Sequence, residues 1–140
     1  MQKTDLSKFD NAWYNPGNPL KRGLWFFVNV CVMQNRMNPF NGSRIFFLKI
    51  FGAKLGSGVV IKPNVNIKYP WKVEIGNNVW IGANCSILAG VTIGDNITVG
   101  AGCTIRQNIP SNSLVTQDAN TITIKEKNAY EWDCTKDELL

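Results

Sequence analysis

From Ile75 onward the chain repeats one six-residue phrase of apolar and polar positions: IGNNVW, IGANCS, ILAGVT, IGDNIT, VGAGCT and IRQNIP. Each phrase opens on a branched aliphatic (Ile75, Ile81, Ile87, Ile93, Val99, Ile105), and in four of the six glycine follows. The fifth positions, Val79, Cys85, Val91, Ile97, Cys103 and Ile109, are apolar and mostly compact. An earlier set, LGSGVV, IKPNVN and IKYPWK, opens at Leu55, Ile61 and Ile67, and the register then slips by two residues across Val73 and Glu74. A period of six matches neither a helix face nor a long alternating strand; it fits short strands separated by turns. Three phrases close one triangular coil, with the aliphatics pointing inward and stacking on the next coil. The pattern therefore predicts an all-β solenoid, a parallel β-helix of about three coils: Leu55–Val73, Ile75–Thr92 and Ile93–Pro110. Glycine is expected where the chain turns and a positive φ costs little. Asn77, Asn78, Asn84, Asp95 and Asn96 suit the corners, because short polar side chains support turns and tolerate the left-handed region. Cys85 and Cys103 lie 18 residues apart, so they should share one column as small apolar fillers of the core.

A stack of coils has open ends that need covering. Leu24 to Met37 reads as a helix rich in large apolar residues that stops at Asn38-Pro39. A second helix is expected to run to Phe51, capped by Asn41, Gly42 or Ser43 and ended by Gly52. These apolar segments suit capping of the first coil, packing on a neighbouring subunit, or contact with a membrane surface. Beyond Pro110 the repeat breaks. Ser111 to Val115 reads as a closing turn, Thr121 to Ile124 as a strand, and Ala129 to Leu140 as a short acidic helix. The chain thus divides into an N-terminal basic and apolar helical segment (1–54), the β-helix (55–115) and a C-terminal extension (116–140).

Composition narrows the chemistry. The 140 residues contain no histidine, which excludes a Ser-His-Asp triad, a Cys-His pair and any His-ligated metal site. The net charge of +5 is uneven. Residues 1–72 carry eleven Lys/Arg against two Asp/Glu, whereas residues 73–124 and 125–140 are each at −2. The basic first half points to an anionic partner: a phosphate-bearing ligand, a membrane surface or a nucleic acid. No nucleic-acid motif accompanies it, so no nucleic acid is expected. The cysteines, Cys31, Cys85, Cys103 and Cys134, form no C-x-x-C pair. With a polar N-terminus of mixed charge, they suggest free thiols in a reducing cytoplasm. The apolar stretch Leu24–Met33 is too short to span a bilayer, for which about 20 residues are needed.

The hexapeptides from Ile75 to Pro110 resemble those of the left-handed β-helix acyltransferases. The segment FGAKLGSGVVIKPNVNIKYPWKVEIGNNVWIG, Phe51 to Gly82, resembles more specifically the O-acetyltransferases of colanic acid and exopolysaccharide biosynthesis. The resemblance implies a left-handed coil, a homotrimer, acetyl-CoA as acyl donor in the groove between neighbouring β-helices, and a sugar hydroxyl as acceptor. It also implies a cytoplasmic enzyme, with a further candidate location at the inner membrane surface through its N-terminal segment. By position, Ala83 and Ala101 match the small residues along the pantetheine arm, with Gly100 and Gly102 permitting close approach. Arg106 matches a place from which a CoA phosphate is in reach, and Lys125 or Lys127 would assist it. Where related enzymes commonly read T-K-D-I-P, this chain reads Arg106-Gln107-Asn108-Ile109-Pro110.

One departure concerns the chemistry itself. Acetyl transfer to a hydroxyl needs a base on the acceptor and a donor for the tetrahedral oxyanion. The family uses a histidine in a loop between coils, and this sequence resembles a member without that catalytic coil. The carboxylates Glu74, Asp95 and Asp118 are weak bases at neutral pH unless strongly perturbed, and each reads better as a turn or surface residue. The sequence therefore names no catalytic residue. It leaves two expectations: an O-acetyltransferase with an impaired or unfamiliar base, or a noncatalytic trimeric β-helix acting as a scaffold or CoA-binding pseudoenzyme.

Overall fold

The computed structural model describes residues 15–117 and the strand Ile122–Glu126. The expected acidic helix at 129–140, Asp118, Lys127, Cys134 and the side chain of Lys125 lie outside the described residues.

Short strands separated by tight corners build three parallel faces. The strands are β1 (Lys54–Leu55), β2 (Val60–Ile61), β3 (Asn66–Ile67), β4 (Glu74–Ile75), β5 (Val79–Ile81), β6 (Ser86–Ile87), β7 (Thr92–Ile93), β8 (Ile97–Val99), β9 (Thr104–Ile105), β10 (Ser113–Gln117) and β11 (Ile122–Glu126). The first face stacks β1-β4-β7, the second β2-β5-β8-β10-β11, the third β3-β6-β9. Every contact between coils is parallel; the exception is β11, which returns antiparallel along β10. Apolar columns fill the interior. Ile61, Ile81, Val99 and Val115 form one, and Ile67, Ile87 and Ile105 another, each residue at most 1 % exposed. Cys85 and Cys103 are buried in that core, as their spacing predicts.

The coils are not of uniform length. Lys54 pairs with Glu74, Glu74 with Thr92, and Ile93 with Ile109, giving offsets of 20, 18 and 16 residues. All the variation falls at the corner between the third and first faces. The first coil is lengthened there by a 3-10 turn, Pro70–Lys72, which explains the register slip at Val73 and Glu74. The third coil is shortened there. Ile109, expected to continue the fifth-position column of Val91, instead falls in register with Ile93: its N–H donates to Thr92 O at 3.0 Å and its carbonyl accepts from Gly94 N at 2.9 Å. The shortening carries the chain into part of a fourth coil. Ser111 to Val115 is therefore not a closing turn, because Ser113–Gln117 is a strand in register with β8.

Glycine takes positive φ at corners as expected at Gly58, Gly90 and Gly102, but the glycines after the opening aliphatics act differently. At the corners the left-handed conformation is also supplied by Asn64, Asn78, Asn84, Asn96 and Asn112, all with φ between 53° and 61°. Gly76 is not among the positive-φ residues. It is needed because a Cβ there would come within 2.6 Å of Gly94 O and closer still to the Asp95 carboxylate. Coils at strand spacing leave no room for that carbon.

The N-terminal segment covers the first coil. Helix α1 (Pro19–Val28) starts at Asn18, whose side chain accepts from Leu20 N, and it runs into a π-helical turn, Asn29–Met33. The expected helix at Leu24–Met37 thus begins earlier, because Pro19 suits a first helical turn, and it ends earlier. Helix α2 (Asn41–Ile50) begins after Phe40 without a side-chain cap. Asn41 is occupied elsewhere: its Nδ2 donates to Val59 O at 2.9 Å and its Oδ1 accepts from Ile61 N at 2.8 Å. Arg44, 1 % exposed, donates to Ile61 O at 3.2 Å and to Asn38 O. Trp25 Nε1 donates to Ile67 O at 2.8 Å, Asn64 N to Met33 O at 3.0 Å, and Asn29 Nδ2 to Asn66 Oδ1 at 2.7 Å. The backbone groups that a parallel coil leaves open at its first edge thus meet side chains and loops of the N-terminal segment, as buried polar groups require.

Candidate functional site

The small residues singled out in the sequence meet at one corner. Gly82 and Ala83 leave β5, and Gly100, Ala101 and Gly102 leave β8 one coil further on. Gly102 N donates to Ala83 O at 2.9 Å, which stacks the two turns directly. Gly82 lies so near the next turn that a Cβ on it would stand 2.6 Å from Ala101 N. Ala101 and Gly102 are exposed, Ala83 and Gly100 half-buried. A Cβ on Gly102, at φ +78°, would meet nothing within 4 Å. The corner is thus small, open and lined largely by backbone.

Arg106 does not join this cluster. It leaves the far end of β9, at the next corner, where it is exposed. Lys125 is on β11, its backbone paired with Leu114 of β10. The six residues therefore divide into a stacked corner of four, one guanidinium across the third face, and one strand position beside the second.

A groove of about 330 Å³ lies elsewhere, on the first face, lined among others by Lys54, Glu74, Thr92 and the glycine column Gly56, Gly76 and Gly94. Sequence reasoning missed it; the recurrent glycine after the opening aliphatic lines it with bare backbone. Lys54 Nζ and Glu74 Oε1 pair at 2.6 Å on its rim, both substantially exposed.

Of the candidate bases, the two among the described residues, Glu74 and Asp95, are engaged in structure. Glu74 is in that ion pair. The Asp95 carboxylate accepts from Asn77 N at 2.6 Å and from Asn77 Nδ2 at 3.2 Å, tying two coils together at another corner. Burial pushes both core thiols up, that of Cys103 to about 11, with the neighbouring Cys85 adding to the shift. Two backbone hydrogen bonds oppose the effect at Cys85 without reversing it. These thiols stay protonated at neutral pH and are not nucleophiles. Cys31 is exposed.

Comparison with known proteins agrees with the resemblance read from the hexapeptides. Residues 72–107 match the family model described as bacterial transferase hexapeptide (six repeats). Over 84 residues the chain is 38% identical to WcaF of Escherichia coli (strain K12), named as a colanic acid biosynthesis acetyltransferase, and equally to WcaF of Shigella flexneri. That alignment covers 59% of this chain and 46% of each relative, so the chain spans about half the length of the curated relatives it matches. Among solved structures, a hexapeptide-repeat acetyltransferase from Vibrio cholerae aligns at TM-score 0.43 with 15% identity, over 78% of this chain and 92% of that one. Serine acetyltransferase isoform 3 from Entamoeba histolytica, in complex with cysteine, aligns at 0.40 with 24% identity, over 66% and 44%. A maltose O-acetyltransferase from Clostridium difficile 630 aligns at 0.35 with 17% identity, over 81% and 91%.

Proposed function

We propose that the protein, whose residues 72–107 match the bacterial transferase hexapeptide model, is an acetyl-CoA-dependent O-acetyltransferase acting on a hydroxyl of a sugar or polysaccharide precursor. The observation that carries the reading is the 38% identity over 84 residues to a protein named for colanic acid acetylation. In the proposed arrangement the chain works as a cytoplasmic homotrimer. The pantetheine arm runs along the stacked turns of Ala83 and of Gly100, Ala101 and Gly102, while Arg106 and Lys125 serve the CoA phosphates. The reaction forms a C–O ester bond and breaks the C–S thioester bond, and the acceptor's hydroxyl proton ends on the CoA sulfur. No imidazole is available to take the proton, since the chain holds no histidine.

That same absence favours a second reading: a trimeric scaffold that binds CoA without turnover. The two are separated by following release of the CoA thiol from acetyl-CoA in the presence of sugar nucleotides and exopolysaccharide fragments. Acceptor-dependent release that scales with protein supports the transferase. Retained acetyl-CoA binding with no release from any acceptor supports the scaffold.

A further inference from the structure

The N-terminal cap is apolar on both sides: Trp25, Met33 and Leu48 are buried beneath it, and large apolar side chains also face outward. Helix α1 turns Trp25 inward and passes into Asn29, which is 7 % exposed. Lys21 and Arg22 are half-buried, and Lys21 Nζ lies 4.9 Å from the centre of the Trp71 ring. Its solvent side presents Leu20, Leu24, Phe26 and Phe27, the two phenylalanines 72 % and 67 % exposed. Helix α2 repeats the arrangement, with Arg44 buried and Phe46 and Ile50 outside. Water-facing helices of a globular protein carry polar residues on their outer side, and large contiguous apolar surface marks an interaction site. Among the described residues, the solenoid itself exposes Trp80 and Leu88 as large apolar side chains, so the outward apolar surface is concentrated on the cap.

Charge identifies the occupant. Between Asn11 and Val73 the sequence holds nine Lys/Arg and no Asp or Glu. Of these, Arg36 and Lys49 are exposed in the cap. Exposed apolar and basic side chains on one segment without acidic residues are complementary to lipid tails beneath anionic headgroups. Among the described residues no helix is long and apolar enough to cross a membrane. We propose that the outward face of α1 and α2 docks on an anionic lipid bilayer, holding the solenoid against the membrane. This inference is independent of the transferase reading, because it uses neither the corner nor the groove.

The test is cosedimentation of the full chain with phosphatidylcholine vesicles, with and without phosphatidylglycerol. Three proteins are compared: wild type, Leu24→Glu/Phe27→Glu, and Arg36→Glu/Lys49→Glu. All the substituted residues point outward, and melting curves establish that each variant folds. The expected result is binding to anionic vesicles at least about tenfold tighter than to phosphatidylcholine alone, with about a tenfold loss or more in each variant. Absence of binding to anionic vesicles by the folded wild type overturns the proposal. So does binding that Leu24→Glu/Phe27→Glu leaves unchanged. If that variant instead lowers the oligomeric mass in sedimentation analysis while wild type ignores vesicles, the face is covered by a second copy and the proposal fails.

Discussion

Asn41 and Ile61 are related as residues of neighbouring strands would be, although Asn41 lies in a helix: the Asn41 carboxamide accepts from Ile61 N at 2.8 Å and donates to Val59 O at 2.9 Å. One side chain thus stands in for the coil that would precede the first. Truncation by Asn41→Ala leaves a donor and an acceptor without partners at a part-buried edge, and the expected cost is about 1–3 kcal/mol. One residue further along, Gly42→Ala adds a methyl that meets nothing within 4 Å in a helix. It should stabilise by up to ~1 kcal/mol. Chemical denaturation of both variants checks the opposite signs.

The glycines should divide by cause. Gly76→Ala drives a methyl against Gly94 O and the Asp95 carboxylate, so the coils must separate, at about 3 kcal/mol. Gly90→Ala meets nothing within 4 Å but holds φ at +81°, so it should cost only ~1–2 kcal/mol of backbone strain. Denaturation midpoints compared at equal slope give both values.

Much of this was legible in the sequence because six residues are one side of a coil. The columns led by Ile61, Ile67 and Ile75, the burial of Cys85 and Cys103, and the asparagine corners all follow from counting. What counting misjudged was local. A six-residue template carried Ile109 into the wrong column, because the chain is shortened after Ile105 and the phrase itself does not show it. The expectation of glycine at turns holds for Gly58, Gly90 and Gly102, whereas Gly76 and Gly94 answer to the backbone of the next coil, a contact between residues far apart in sequence. The cap was legible as apolar segments, but not as a set of polar side chains serving an edge. Trp25, Asn29, Asn41 and Arg44 gave no periodic signal. The candidate corner comes from resemblance, and the stacking of Ala83 on Ala101, with Gly102 N donating to Ala83 O, follows from the same 18-residue offset that relates Glu74 to Thr92.

The core thiols make stability fall in alkali. Cys103 is held protonated in the folded chain to about 11, above its ordinary value of 9.0. The folded state therefore binds the proton more tightly than the unfolded state. Its contribution is whole below about pH 9 and is lost as pH rises towards 11. Melting temperatures of wild type and Cys103→Ala, taken from pH 8 to 11 in about half-unit steps, should converge as pH rises. Peptide mapping after alkylation at pH 8 should find Cys31 modified and Cys85 and Cys103 untouched until the chain unfolds.

The proposed donor site rests on the open corner, so its most direct test is calorimetric titration of the purified protein with acetyl-CoA, repeated on Ala101→Trp. Ala101 is exposed on a turn, so the indole obstructs the corner without entering the core. The account predicts saturable binding near one acetyl-CoA per chain for wild type, weakened by about tenfold or more in the variant. Absence of binding by well-folded wild type, or equal binding by Ala101→Trp, would contradict it.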